Sequence, residues 1–302
     1  MLLRLVYLCS VFFPTILRKA ALKEFLSLIR FPNLVLIILC QALVQVCLLS
    51  YHIRWSSIWE PGFVTLTLST VFVAAAGYII NDYYDVKIDA INKPDRLVIG
   101  KSIRRRPAMG WHFLLSILGV LMGFWLSLPV GLINLGAVLL LWGYSALLKR
   151  MMLIGNVAIA LLGASMLLVV AVYADKLNKI TISYAVFAFL ISFIREIIKD
   201  MEDVKGDATF DCRTLPIVAG LANTKLVLYP IIAVFLAFIL LVIFHPSTGF
   251  VFEIYMLLLV FVPSIWFLVK LVRADRKRDF TFLSNLGKLL MLTGILSMLF
   301  VN

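Results

Sequence analysis

The sequence predicts an all-α, polytopic membrane protein, and three observations carry that prediction. Of 302 residues, 63% are apolar and 15% charged, with a mean hydropathy of +1.05, whereas an ordinary soluble domain carries about 25% charged residues. Apolar runs of the roughly 17–25 residues that a helix needs to cross a bilayer recur along almost the whole chain. The Leu, Ile, Val and Phe runs lack the alternating segments of about ten residues that a membrane β-barrel requires. Together these exclude a water-soluble globule and a barrel.

Runs bounded by charge, Pro or Gly place spans at 33–51, 61–80, 107–127, 130–147, 154–173, 180–197, 225–244, 250–269 and 283–301, nine in all. Pro32, Pro61, Pro107 and Pro129 fall at or just outside the helix starts, where a missing backbone N–H costs nothing. Pro230 and Pro263 fall inside spans and predict kinks. The opening segment MLLRLVYLCSVFFPTILRKA has no small-residue cleavage site ahead of Arg18-Lys19. Residues 1–32 therefore read as an uncleaved, cytoplasmic or interfacial segment. The chain 1–302 reads as a single integral-membrane domain around a central cavity open to lipid.

The net charge of +12 comes from 28 Lys and Arg against 16 Asp and Glu. In a soluble protein such an excess suggests nucleic acid; in a membrane protein it reports topology, so membrane lipids and not nucleic acid are the expected partners. The amino-terminal segment and the even-numbered loops hold 24 of these basic residues, with Arg195 and Lys225 assigned to the sixth loop; the odd-numbered loops hold 3, and Lys288 lies within the last span. That asymmetry supports nine spans, a cytoplasmic amino terminus and a cell inner membrane location. Cys9, Cys40, Cys47 and Cys212 show no paired spacing and read as packing residues. His52, His112 and His245 are scattered near span ends and read as interfacial hydrogen-bonding groups.

The acids are distributed differently: 10 of the 16 lie in two loops, four between Asp82 and Asp95 and six between Glu196 and Asp211. If the helix ending its apolar run at Ile80 persists outward, Asp82, Asp85 and Asp89 share one face at i, i+3 and i+7. Asp200, Asp203 and Asp207 repeat the same D-x-x-D-x-x-x-D spacing 118 residues later. The repetition suggests a pseudo-repeat whose acidic faces meet across a shared cavity. Crowded carboxylates repel one another unless cations join them, and hard oxygen ligands suit Mg²⁺ bound together with substrate phosphate. Lys87, Lys93, Arg96, Lys199, Lys205 and Arg213, with Arg104, Arg105 and Arg106, stand nearby to neutralise remaining phosphate charge. A single such loop would read as solvated charge near lipid headgroups; the duplicated spacing favours a diphosphate site.

The run NDYYDVKID followed by NKPDR, and the run REIIKDMEDVKGD followed by CRTLPIVAG, resemble the UbiA superfamily of intramembrane prenyltransferases. The resemblance extends to the nine spans and the placement of both motifs. It implies that Asn81, Asp82, Asp85 and Asp89, then Asp203 and Asp207 with Asp200 beside them, bind Mg²⁺ and a prenyl diphosphate, with Asp85, Asp203 and Asp207 in catalytic roles. Relatives carry a Tyr-x-x-x-Lys element on the fourth loop; Tyr144 here precedes Lys149 by five positions, and the resemblance implies Lys149 as a catalytic diphosphate ligand with Tyr144 near it. Leu97 stands where relatives often have a second proline after the arginine.

The resemblance further implies an electrophilic transfer in which the diphosphate leaves, an allylic cation develops and an acceptor attacks it. The motif shell from Arg195 to Pro216 is most similar to the branch that transfers a geranylgeranyl group to geranylgeranylglyceryl phosphate, a step of isoprenoid lipid biosynthesis. Quinone precursors such as hydroxybenzoate or dihydroxynaphthoate are the alternative acceptors. A transporter would place its acids at mid-membrane depth, whereas these follow Ile80 and Ile198 at span ends. A non-catalytic isoprenoid-binding protein would have little need of both acidic motifs intact.

Overall fold

The computed structural model describes residues 19–49, 54–245 and 248–301. Its helices are α1 (Lys19–Leu28), α2 (Phe31–Leu48), α3 (Pro61–Asn92), α4 (Arg105–Leu126), α5 (Leu128–Ala146), α6 (Ile154–Tyr173), α7 (Lys179–Thr209), α8 (Leu215–Ile243), α9 (Phe250–Arg273) and α10 (Lys277–Phe300). Among the described residues, nine helices, α2 to α10, are long and apolar enough to cross a membrane. The expected spans reappear in order. Of the expected amino-terminal segment, residues 19–28 form α1, and the rest up to residue 18, Cys9 included, lies outside the described residues, as does His52.

Two helices overrun their apolar portions. α3 has 32 residues and α7 has 31, so each is about 46–48 Å long at 1.5 Å per residue, against a hydrocarbon core of about 30 Å. Their acidic last turns therefore continue beyond the apolar runs that end at Ile80 and Ile198. Pro61 begins α3, and the Asn178 side chain caps α7 by accepting from the Thr181 N–H at 2.7 Å.

Expectation and structure part at α8. Only Gly220 leaves helical dihedrals inside it, with φ 81° and ψ 163°, while Pro230 keeps them. The helix thus starts at Leu215, ten residues before the expected span, turns at a glycine that can adopt positive φ, and resumes. In α9 a wider π-helical turn at Leu257–Phe261 precedes Pro263 and absorbs the backbone hydrogen bond that proline cannot donate.

Three apolar clusters hold the bundle together. One joins α7, α8, α9 and α10 through Ile194, Ile198, Phe235, Phe267 and Leu290. A second joins α2, α3 and α6 through Cys40, Val44, Leu66 and Val170. The third, Leu28, Ile79, Ile99 and Ala108, seats α1 and the α3–α4 loop against α3 and α4 at the acidic end. Close approach of α3, α4 and α5 depends on small residues: a Cβ at Gly119 would lie 2.8 Å from the Ser69 carbonyl oxygen. Buried Asn134 bridges the same helices, donating to Ser69 Oγ at 3.1 Å and Gly119 O at 3.0 Å. His112 is buried here as well, its Nδ1 3.0 Å from Ala76 O, instead of interfacial. Cys40, Cys47 and Cys212 are buried, and burial pushes the Cys212 thiol up.

Candidate functional site

At 100° per residue, Asp82, Asp85 and Asp89 fall within about 60° of one another on α3, as do Asp200, Asp203 and Asp207 on α7. The two faces meet: Asp207 lies within electrostatic reach of Asp203, Asp85, Lys93 and Lys149. Asn92, the last residue of α3, joins the helices with both ends of its amide. Its Nδ2 donates to Asp203 O at 3.0 Å, and its Oδ1 accepts from the Gly206 N–H at 2.9 Å. A Cβ at residue 206 would lie 2.4 Å from Asn92 Nδ2, so any larger residue there would have to displace the Asn92 amide. Lys277, the first residue of α10, donates to Asn92 O at 2.8 Å, and Thr281 donates to Glu202 Oε1 at 2.9 Å.

Basic side chains from three separate segments hold three motif carboxylates. Lys149 Nζ lies 2.5 Å from Asp85 Oδ1, Lys93 Nζ 2.6 Å from Asp203 Oδ2, and Arg30 Nη2 2.8 Å from Asp82 Oδ1. Lys149 belongs to the short helical turn Leu148–Arg150 after α5. That turn sits tightly on α6, since a Cβ at Gly155 would be 2.8 Å from Lys149 Cα. The Arg213 N–H donates to Arg150 O at 2.8 Å, fastening the turn to the α7–α8 loop. Arg30 precedes α2 with φ 51° and ψ 53°, a left-handed conformation that costs a side-chain-bearing residue roughly 1–3 kcal/mol. Its guanidinium lies 5.0 Å from the centre of the Tyr78 ring.

Asp200 accepts from Asn156 Nδ2 at 2.8 Å. One turn earlier, buried Glu196 accepts from Arg195 at 3.0 Å and Lys199 at 2.9 Å. Tyr144 is half-buried within electrostatic reach of Glu196, Asp200, Asp85 and Arg30. Asn81 is half-buried at the head of the first motif.

Not every expected ligand is gathered in. Lys87 points about 140–160° away from the α3 acidic face and is exposed. The side chains of Lys205 and Arg213 are exposed, as are those of Arg104, Arg105 and Arg106. Arg105 instead covers the Tyr83 ring at 4.5 Å and donates to Tyr83 O at 3.2 Å. The Arg96 side chain lies outside what is described. Conversely Arg30, Asn92, Asn156, Glu196 and Lys277 take part in the site's framework without having been singled out. The one signal available for Asn92 was its place at the head of NKPDR.

The donor set suits a hard divalent cation. It consists of carboxylate and amide oxygens, and Asp203 Oδ1 is buried with no hydrogen-bond partner. Among the described residues, no three Asp, Glu, His or Cys side chains converge as one metal cluster. The residues expected to bind metal lie on two helices, α3 and α7. Each can offer one or two carboxylates and leave the remaining positions to substrate oxygens, which is how Mg²⁺ is commonly held.

The fold and site define a class: an integral membrane helix bundle with two acidic helix ends joined at one side. Residues 38–289 match the profile of the UbiA prenyltransferase family. The chain belongs to that family. It is 41% identical over 160 residues to the digeranylgeranylglyceryl phosphate synthase of Methanothermobacter thermautotrophicus, covering 52% of this chain and 56% of that protein. The Methanoregula boonei protein of the same name is 37% identical over 172 residues, covering 56% and 61% respectively. The chain thus matches little more than half the length of these relatives.

Among solved structures, one described as a digeranylgeranylglyceryl phosphate synthase in membranes superposes with a TM-score of 0.69 at 24% identity, covering 93% of this chain and 98% of that one. A UbiA homolog from Archaeoglobus fulgidus, bound to GPP and Mg²⁺, gives 0.66 at 17% identity, covering 91% and 99%. These likenesses show the shared fold.

Proposed function

We propose that the protein is a Mg²⁺-dependent intramembrane prenyltransferase that moves a geranylgeranyl-type group from its diphosphate to the hydroxyl of geranylgeranylglyceryl phosphate. The observation that carries this reading is the meeting of the Asp82-Asp85-Asp89 and Asp200-Asp203-Asp207 faces, laced by Lys149, Lys93 and Arg30. Relatives named digeranylgeranylglyceryl phosphate synthase support the choice of acceptor, and homologs bound to GPP or DMAPP with Mg²⁺ support the choice of donor and metal.

In this reading Asn81, Asp82, Asp85 and Asp89, with Asp203, Asp207 and Asp200, hold the metal. Bound there, Mg²⁺ would supply the charge that stabilises the diphosphate as it leaves. Lys149 and Lys93 donate to diphosphate oxygens, with Lys199 and Tyr144 at the deeper edge. In the transfer the bond from the first prenyl carbon to the diphosphate oxygen breaks, a bond from that carbon to the acceptor oxygen forms, and the hydroxyl proton passes to the departing diphosphate. The carbon bears positive charge on the way, so water must be kept from it. The isoprenoid tail runs among the apolar helices, with the acidic end facing the cytoplasm of the cell inner membrane.

The test incubates purified protein and Mg²⁺ with labelled geranylgeranyl diphosphate, presenting geranylgeranylglyceryl phosphate, 4-hydroxybenzoate and dihydroxynaphthoate separately. The expected result is product from the glyceryl phosphate alone, abolished by EDTA. Product from an aromatic acceptor alone would reassign the substrate, and no product from any of them would overturn the proposal.

A further inference from the structure

Arg30, Lys93 and Lys149 each occupy an oxygen of a motif carboxylate, at 2.8, 2.6 and 2.5 Å. A divalent ion bound to that same carboxylate at about 2.0–2.1 Å would stand within a few ångströms of the ammonium or guanidinium, and like charges at that range repel strongly in a half-buried setting. That repulsion loosens the base from its oxygen even where the metal takes the carboxylate's other oxygen, and a loosened base is drawn to another anion. A diphosphate arriving with the metal is that anion.

Arg30 is suited to the change. Its fork of donors can pair with a carboxylate or a phosphate, and the Tyr78 ring at 5.0 Å keeps the guanidinium over the acidic end in either case. Its positive φ of 51° marks a backbone held out of its ordinary range to aim this side chain at Asp82.

We infer that Arg30, together with Lys93 and Lys149, is an exchangeable counter-ion: each leaves its carboxylate when a divalent cation takes it and moves to the diphosphate, so that metal and diphosphate binding are coupled through these ion pairs. The inference rests on the prenyl diphosphate reading above and adds Arg30 to the ligands of the diphosphate. It also fixes a sign. Removing a base makes the metal bind more tightly alone and the diphosphate more weakly, whereas loss of a merely structural arginine weakens both.

The test uses the full chain in detergent micelles, with Mn²⁺ as the metal probe read by electron paramagnetic resonance. Non-reacting geranylgeranyl S-thiolodiphosphate is the second probe, read by equilibrium binding with Mn²⁺ or with EDTA. In the wild type, Mn²⁺ is expected to strengthen thiolodiphosphate binding at least about fivefold, and by reciprocity the analogue strengthens Mn²⁺ equally. Arg30→Met and Lys149→Met are expected to bind Mn²⁺ alone at least about fivefold more tightly than wild type and the analogue at least about fivefold more weakly, a usual size for such coupling. Arg30→Lys restores the wild-type order. Arg30→Gly, which relieves the backbone while removing the charge, shows the same sign as Arg30→Met and carries the test if the Met variant fails to fold. Unchanged or weakened Mn²⁺ binding in these variants overturns the exchange alone. A wild type that binds neither probe overturns the prenyl diphosphate reading and the exchange with it.

Discussion

Lys149 Nζ stands 2.5 Å from Asp85 Oδ1, joining the turn after α5 to the middle carboxylate of the α3 motif. The two residues are 64 positions apart, and the close seating of that turn on Gly155 helps bring them together. Replacing Lys149 with Met removes a cation aimed at the leaving group, and kcat/KM for the prenyl diphosphate is expected to fall about 10²–10³-fold, as when one donor to a developing negative charge is lost. Lys149→Arg should retain part of the rate. Initial rates with a labelled prenyl diphosphate check both.

The motif carboxylates make a second, separable prediction. Asp85→Asn and Asp203→Asn keep the shape of the side chain and an oxygen that can still accept from Lys149 or Lys93, while removing the negative charge a metal needs. Turnover is expected to disappear into background, with the melting temperature in detergent within a few degrees of wild type. Wild-type rates in either variant would contradict the metal assignment.

Two glycines of similar appearance in the sequence should behave oppositely. At Gly206 an added Cβ meets the Asn92 amide at 2.4–2.5 Å, so Gly206→Ala displaces that amide from its bonds to α7. Overpacking of this kind costs about 1–3 kcal/mol, and activity should fall with stability. Gly136 on α5 has nothing within 4 Å of such a Cβ. Gly136→Ala should leave activity unchanged and raise stability by up to about 1 kcal/mol. Thermal melts paired with rate measurements distinguish the two.

Asn134 offers the complementary case, fold without site. Its amide bridges α3, α4 and α5, and interhelical hydrogen bonds within membranes contribute about 0.6–1.7 kcal/mol. Asn134→Ala should lower the melting temperature while leaving affinity for the prenyl diphosphate unchanged.

The spans were legible because bilayer thickness writes itself into run length, and the outward continuation of α3 and α7 was legible in the three-and-four spacing of Asp82, Asp85 and Asp89 and of its copy. The kink in α8 was not: proline inside an apolar run is the stronger signal, but Pro230 keeps helical dihedrals and Gly220 breaks them. Arg30 and Asn156 escaped for a different reason. An arginine before Phe31-Pro32 looks like topology, and an asparagine at the start of an apolar run looks like a cap. Their meaning lies in Asp82 and Asp200, which only tertiary packing brings near. The same packing sends Lys87 outward although it sits between two motif acids.

The hydrogen bond from Lys277 to Asn92 spans 185 positions, from the head of the last helix back to the tail of the second span. A ribosome releases α3 and α7 well before it reaches Lys277, so a nascent chain carries both acidic faces before it owns the side chain that ties the end of α3 to α10. That tie is therefore completed only once the ninth span has been made. Chains arrested ahead of Lys277 should accordingly exchange the backbone amide hydrogens at the end of α3 faster than completed chains do.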